Sequence, residues 1–205
     1  MRSLASILTM EGRPGSVESS MFFKRFLNPM ASAKTAREIY LLIVAKARQP
    51  YFYAELGVPD TVDGRFDMIT LHAILVIEFI VQGGNASKAL SQQLFDEMFA
   101  DMDSSLREMG AGDLSVGKKV RKMAEVFYGR AKAYREALAQ EDEDGLTAAL
   151  ARNVYGGEGR PENARRLARY ALAAAKSLSA SRRRDIQADS LQFPDPQEID
   201  RYHEP

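Results

Sequence analysis

From about residue 32 to residue 180, apolar residues recur every three or four positions, and no stretch sustains an alternation of apolar and polar. The pattern therefore predicts helices throughout. Ser32 is a plausible N-cap for a first helix with Ala36, Ile39, Tyr40, Ile43, Val44 and Ala47 on its inner side. Pro50 ends that helix and opens a short second one, closed by Gly57. The turn-forming run Val58 to Gly64 leads into a helix expected from Arg65 to Gln82, with Asp63 or Thr61 as its cap. Its window Phe66 to Val81 is the most apolar of the chain, yet it holds Asp67, His72 and Glu78. At about 16 residues it falls short of the roughly 20 needed to span a membrane, which predicts a buried core helix.

After Gly83-Gly84, Asn85 is expected to cap a helix reaching about Met109, with Gly110 as its stop. Phe95, Phe99, Met102, Leu106 and Met109 step along one face, and Glu97, Asp101 and Glu108 are assigned to the opposite, solvated face. Asp113 is expected to cap a helix to about Leu138, with Val116, Val120, Met123, Phe127, Ala131, Tyr134 and Leu138 inside. Its outer surface is basic, with Lys118, Lys119, Arg121, Lys122, Arg130, Lys132 and Arg135. The acidic run Glu141 to Asp144 opens a shorter helix to about Tyr155, and Pro161 starts an Ala-rich last helix to about Ala180. The expectation is all-α: a single-domain bundle of about six to seven helices over 31–180. A flexible N-terminal segment, 1–30, precedes it, and a C-terminal tail, 181–205, orders where Leu191 and Phe193 dock.

Composition narrows the chemistry. Lys plus Arg (28) balance Asp plus Glu (28), so no bulk field favours nucleic acid or anionic lipid. The chain has no Cys, which removes disulfides, thiolate zinc sites and a cysteine nucleophile together. The apolar patch within Met1 to Met10 is too short for a signal-peptide core. Met21 is a second candidate start, and Phe22-Phe23-Lys24-Arg25-Phe26-Leu27 suits either a membrane interface or docking onto the core.

No nucleophile elbow and no Gly-rich phosphate loop is present. Asp60, Asp63 and Asp67 bracket Gly64 without the alternate spacing of a calcium loop, and read as caps and turn formers. Asp96, Glu97, Asp101 and Asp103 have the flavour of the magnesium-diphosphate sites of isoprenoid synthases, but a second, facing acidic motif is missing. A solvated acidic face, or one for a basic partner, is the simpler reading. His72 has only His203 as a possible second histidine ligand, so it reads as a buried neutral imidazole making one hydrogen bond. The basic face of Lys118, Lys122 and Arg130, joined by Arg165, Arg166 and Arg169, could meet RNA, lipid headgroups or an acidic protein, though it lacks interleaved exposed aromatics for base stacking. No cofactor, resident metal or DNA partner is expected, and binding is favoured over catalysis.

Three blocks add a resemblance. Leu56-Gly57-Val58-Pro59-Asp60-Thr61-Val62-Asp63-Gly64-Arg65-Phe66 followed by Leu71-His72, then Phe95 to Asp103 with Leu106-Arg107-Glu108-Met109-Gly110, then Ser115-Val116-Gly117-Lys118 and Phe127-Tyr128-Gly129-Arg130, resemble the ubiquinol–cytochrome c chaperone family. The resemblance spans about Ala36 to Tyr155. It implies an all-α chaperone that binds newly made cytochrome b, or other subunits of the cytochrome bc1 complex, during assembly. A bacterial version would act peripherally at the cytoplasmic face of the inner membrane, with the ribosome or the membrane surface as further contacts. Asp60, Arg65, His72, Asp101, Asp103 and Arg107 become candidates for the partner surface or for the ion pairs that shape it, with Arg65–Asp101 as one such pair. A magnesium-dependent isoprenoid-diphosphate enzyme and an RNA- or ribosome-contacting adaptor stand as alternatives.

Overall fold

The computed structural model describes residues 29–83, 85–157, 160–181 and 186–203; Met1, Met21 and the segment Phe22 to Leu27 lie outside them. The described residues form seven α-helices: α1 (Pro29–Ala47), α2 (Pro50–Ala54), α3 (Val62–Val81), α4 (Asn85–Glu108), α5 (Asp113–Ala139), α6 (Glu143–Asn153) and α7 (Pro161–Ala180). Two 3-10 segments follow, Ala188–Ser190 and Pro196–His203. The all-α expectation therefore holds, and element boundaries agree to within a few residues.

Helix α3 is the axis of the bundle, in contact with α1, α4, α5 and α7. It is enclosed almost all the way round, which is why its sequence shows no polar stripe. Thr61 caps it by accepting from the Gly64 N–H at 3.1 Å. Gly64 is needed there, because a Cβ would lie 2.0 Å from the Pro59 carbonyl oxygen. Gly57 adopts φ 62, and its carbonyl accepts from the Arg160 guanidinium at 3.1 Å, tying the loop after α2 to the start of α7.

Three local expectations are corrected. Ser32 is not a cap: α1 begins earlier, and the buried Ser32 hydroxyl bonds Gln93 of α4. Asp113 is the first residue of α5, and Gly112 occupies the cap position. Glu97 and Asp101 are half-buried rather than fully solvated, because α4 packs against α1 and both side chains reach across to it, while Glu108 is exposed as expected. Glu97 meets Arg37 of α1 at 3.4 Å, and Asp101 accepts from the Tyr40 hydroxyl at 2.6 Å. The deepest stripe of α4 is Leu90, Leu94 and Met98, while Phe95 and Phe99 turn toward Phe127 and Tyr128 of α5.

The tail docks more broadly than Leu191 and Phe193 alone. Ile186 and Ile199 are also buried, and the last 3-10 segment packs against α7 and α2.

Candidate functional site

At one end of the bundle the packing is left open. A groove of about 1080 Å³ runs between the loop and first turn of α3, the end of α4, one side of α5 and the chain after α6. Each wall follows from local sequence. The Pro59–Gly64 turn holds Val62 outward at the start of α3, with Phe66 behind it. Gly110, at φ 84, stops α4 just after Leu106 and Met109. Lys119, Met123, Val126 and Arg130 recur on α5 at helical spacing, forming a stripe beside the core stripe of Val116, Phe127, Ala131 and Tyr134. Tyr155 backs the site: its hydroxyl donates to the Leu56 carbonyl at 2.9 Å, joining the loop before α7 to the loop before α3.

Two large apolar side chains in this groove are unusually bare, Val62 at 54% and Met109 at 55% exposed. Beneath them lies an ion pair. Arg130 bonds the Asp67 carboxylate, donates to the Asn153 carbonyl at 3.1 Å, and stands 5.9 Å from the centre of the Phe66 ring. Burial pushes the Asp67 carboxyl up to about 6, against the lowering pull of Arg130.

The family model described as Ubiquinol-cytochrome C chaperone matches residues 54–193. The chain belongs to that family. Its relatives include the ubiquinol-cytochrome-c reductase complex assembly factor 1 of Xenopus laevis, 27% identical over 119 residues. That match takes in 58% of this chain and 59% of the relative, so the chain spans about three-fifths of that protein's length. Among solved structures, the Cbp3 homolog from Brucella abortus superposes with a TM-score of 0.73 at 37% identity, covering 89% of this chain and 99% of that one.

The three sequence blocks that carry the chaperone-family resemblance are far apart along the chain, yet all three supply walls of the groove. Pro59, Val62 and Phe66 come from the first, Leu106 and Met109 from the second, and Arg130 from the third.

The candidate residues divide accordingly. Lys122 stands on the groove's rim and Arg130 on its floor. Lys118 is exposed on α5, outside the lining. Asp60 and Arg65 pair with each other at 2.7 Å on the exposed loop beside the groove, and the Arg65 hydrogen bond holds the Asp60 carboxyl below its ordinary range. The expected Arg65–Asp101 pair is not formed, since Asp101 is turned to Tyr40 of α1. Arg107 binds Asp103 and Asp113, bracing the turn from α4 to α5.

His72 is corrected most firmly as a partner contact. It is fully enclosed, and it makes two hydrogen bonds rather than one. Its Nδ1–H donates to the Met68 carbonyl at 2.8 Å, which leaves Nε2 to accept from the Tyr170 hydroxyl at 2.9 Å. Burial lowers its pKa to about 4, so the ring is neutral.

The basic face is also smaller than expected. Arg130 and Arg135 turn inward to Asp67 and Glu78, while Arg165 and Arg169 are engaged by Glu143 of the acidic run. The four candidate acids among the five of α4 do not converge on a metal-sized point: Asp96 accepts from Gln92, Glu97 meets Arg37, Asp101 meets Tyr40 and Asp103 meets Arg107. Sequence reasoning missed Val62, Met123 and Val126 as groove residues and placed Met109 inside. The readable signal was the second apolar stripe on α5, too wide for one core face.

Proposed function

We propose that the protein is an assembly chaperone for the cytochrome bc1 complex, holding an apolar segment of newly made cytochrome b in this groove. Membership of the chaperone family supports the class of activity. The complex follows the name of a relative, the Xenopus laevis protein being named as an assembly factor of ubiquinol-cytochrome-c reductase, and cytochrome b is our choice among its subunits. The observation that carries the site is the convergence of three distant blocks on one groove with bare Val62 and Met109. Exposed apolar side chains collected in a concave surface favour a partner, because covering them removes apolar area from water. No described helix is long and apolar enough to cross a membrane. The proposal places the meeting with the client at the cytoplasmic face of the inner membrane.

The test is affinity recovery from membrane extract of the native host, with the full chain tagged at its C-terminus and partners read by mass spectrometry. The wild type should bring down cytochrome b with other bc1 subunits. Met109→Glu combined with Val62→Glu should lower that recovery at least about tenfold while the melting temperature stays within a few degrees, since both positions are more than half exposed. Absence of bc1 subunits from the wild-type eluate would overturn the proposal.

A further inference from the structure

Resting on the reading of the groove as a client site, the structure carries one step more: we infer that its occupant is an amphipathic α-helix of about three turns with carboxylates along one flank. Size gives the first argument. From Lys119 to Arg130 the α5 wall advances eleven residues, or about 16 Å at the helical rise. A helix about 10 Å across and that long displaces on the order of 1,300 Å³. The groove offers about 1080 Å³ and is partly open to solvent, so it is of the same order of size as a helix of that length.

Charge gives the second. Lys119 and Lys122 occupy the α5 rim, one helical turn apart, with Lys118 and Arg121 exposed beside them. Lys122 shares only an exposed contact with Glu125 at 3.3 Å, and Lys119 has no ion-pair partner among the described residues. The floor charges are already matched to each other, Arg130 to Asp67, so they ask nothing of an occupant. On the opposite wall the charged rim residue is Asp63. An apolar helix alone would seat against Val62, Phe66, Met109, Met123 and Val126 but would strip water from two lysines without replacement. Carboxylates on the flank toward α5 supply that replacement and fix the rotation of the helix about its axis. Two methionines in the lining let the surface adjust to ridges of differing shape.

The test uses three fluorescein-labelled helical peptides of equal length with the full chain, by anisotropy. One carries a Leu ridge with a Glu flank, one the same ridge with a Lys flank, and one the Glu flank with a scrambled ridge. The first should bind at least about tenfold more tightly than either of the others, and Lys119→Glu with Lys122→Glu should reverse the preference between the two flanks. Equal binding of both flanks, a preference that survives the double reversal, or equal binding of the scrambled peptide or of an RNA oligonucleotide would overturn the inference. Recovery of bc1 subunits by the wild type but not by Met109→Glu with Val62→Glu would then still stand for the groove as client site, which separates the two failures.

Discussion

Asp67 and His72 are five residues apart on α3, both buried and both titratable, and the bundle treats them differently. Around His72 every direction is filled: Phe52 stands edge-on with centroids 5.5 Å apart, Phe193 lies at 5.6 Å, and the two ring nitrogens are satisfied by Met68 and Tyr170. The group is held in its neutral form and has nothing left to offer a partner. Asp67 pairs with Arg130 against a larger pull of burial toward its neutral form, and beside it the packing stops, leaving Val62 and Met109 exposed. One helix thus has a closed region packed on every side and an end that borders an open groove, the site proposed for the client. The difference lies in what stands against α3: Phe52 of α2, Tyr170 of α7 and Phe193 of the docked tail around His72, and the groove beside Asp67.

The largest way to break that contrast is at the closed end. Phe52 is fully buried against His72 and Tyr170, so Phe52→Ala leaves a ring-sized cavity and should cost about 3–5 kcal/mol in urea unfolding. Client recovery by the fraction still folded should be unchanged; a loss of recovery without a loss of stability would contradict the division of labour.

The next test is protonation of His72. Its folded pKa, about 4, lies below the ordinary 6.5, so between those values the unfolded chain binds more protons and stability falls as pH drops. The difference in unfolding free energy between wild type and His72→Gln should therefore decline by about 3 kcal/mol from pH 7 to pH 4. A flat difference would mean that water or a hidden acid reaches the ring.

How much of this was legible beforehand follows from the same contrast. The closed end wrote itself into the sequence: the unbroken apolar run of α3, the Ala-rich inner side of α7 and the buried reading of His72 are all consequences of complete enclosure. Helix ends with a strong local cause, such as Thr61 and Gly110, were also readable. The open end was not, because a groove is made of residues from four segments and no local periodicity reports which apolar side chain is left uncovered. Met109 continues the apolar face of α4 perfectly well, and it is exposed only because α4 ends there. Charge partners were misread for a related reason. Asp101 and Arg130 look solvated on their own helices, and only the approach of α1 and α3 turns them inward. The resemblance to the chaperone family located the blocks, and the fold was needed to bring them together.

The smallest expected effect, and the sharpest, is at Asp67. Its folded pKa is raised to about 6 from the ordinary 3.8, so between those values the folded chain binds more protons than the unfolded one. The sign is opposite to that of His72: the contribution is fully present below about pH 3.8 and is lost as pH rises through 6. The free-energy difference between wild type and Asp67→Asn should therefore fall by about 2–3 kcal/mol from pH 4 to pH 7, measured by urea unfolding. Burial prevails over the Arg130 attraction only while the floor of the groove stays dry. If the difference instead rises with pH, the Arg130 pair stabilises the carboxylate outright and water reaches the floor. A peptide seated in the groove should make the fall steeper, because it takes more solvent away from Asp67, while leaving the pH dependence assigned to His72 where it was.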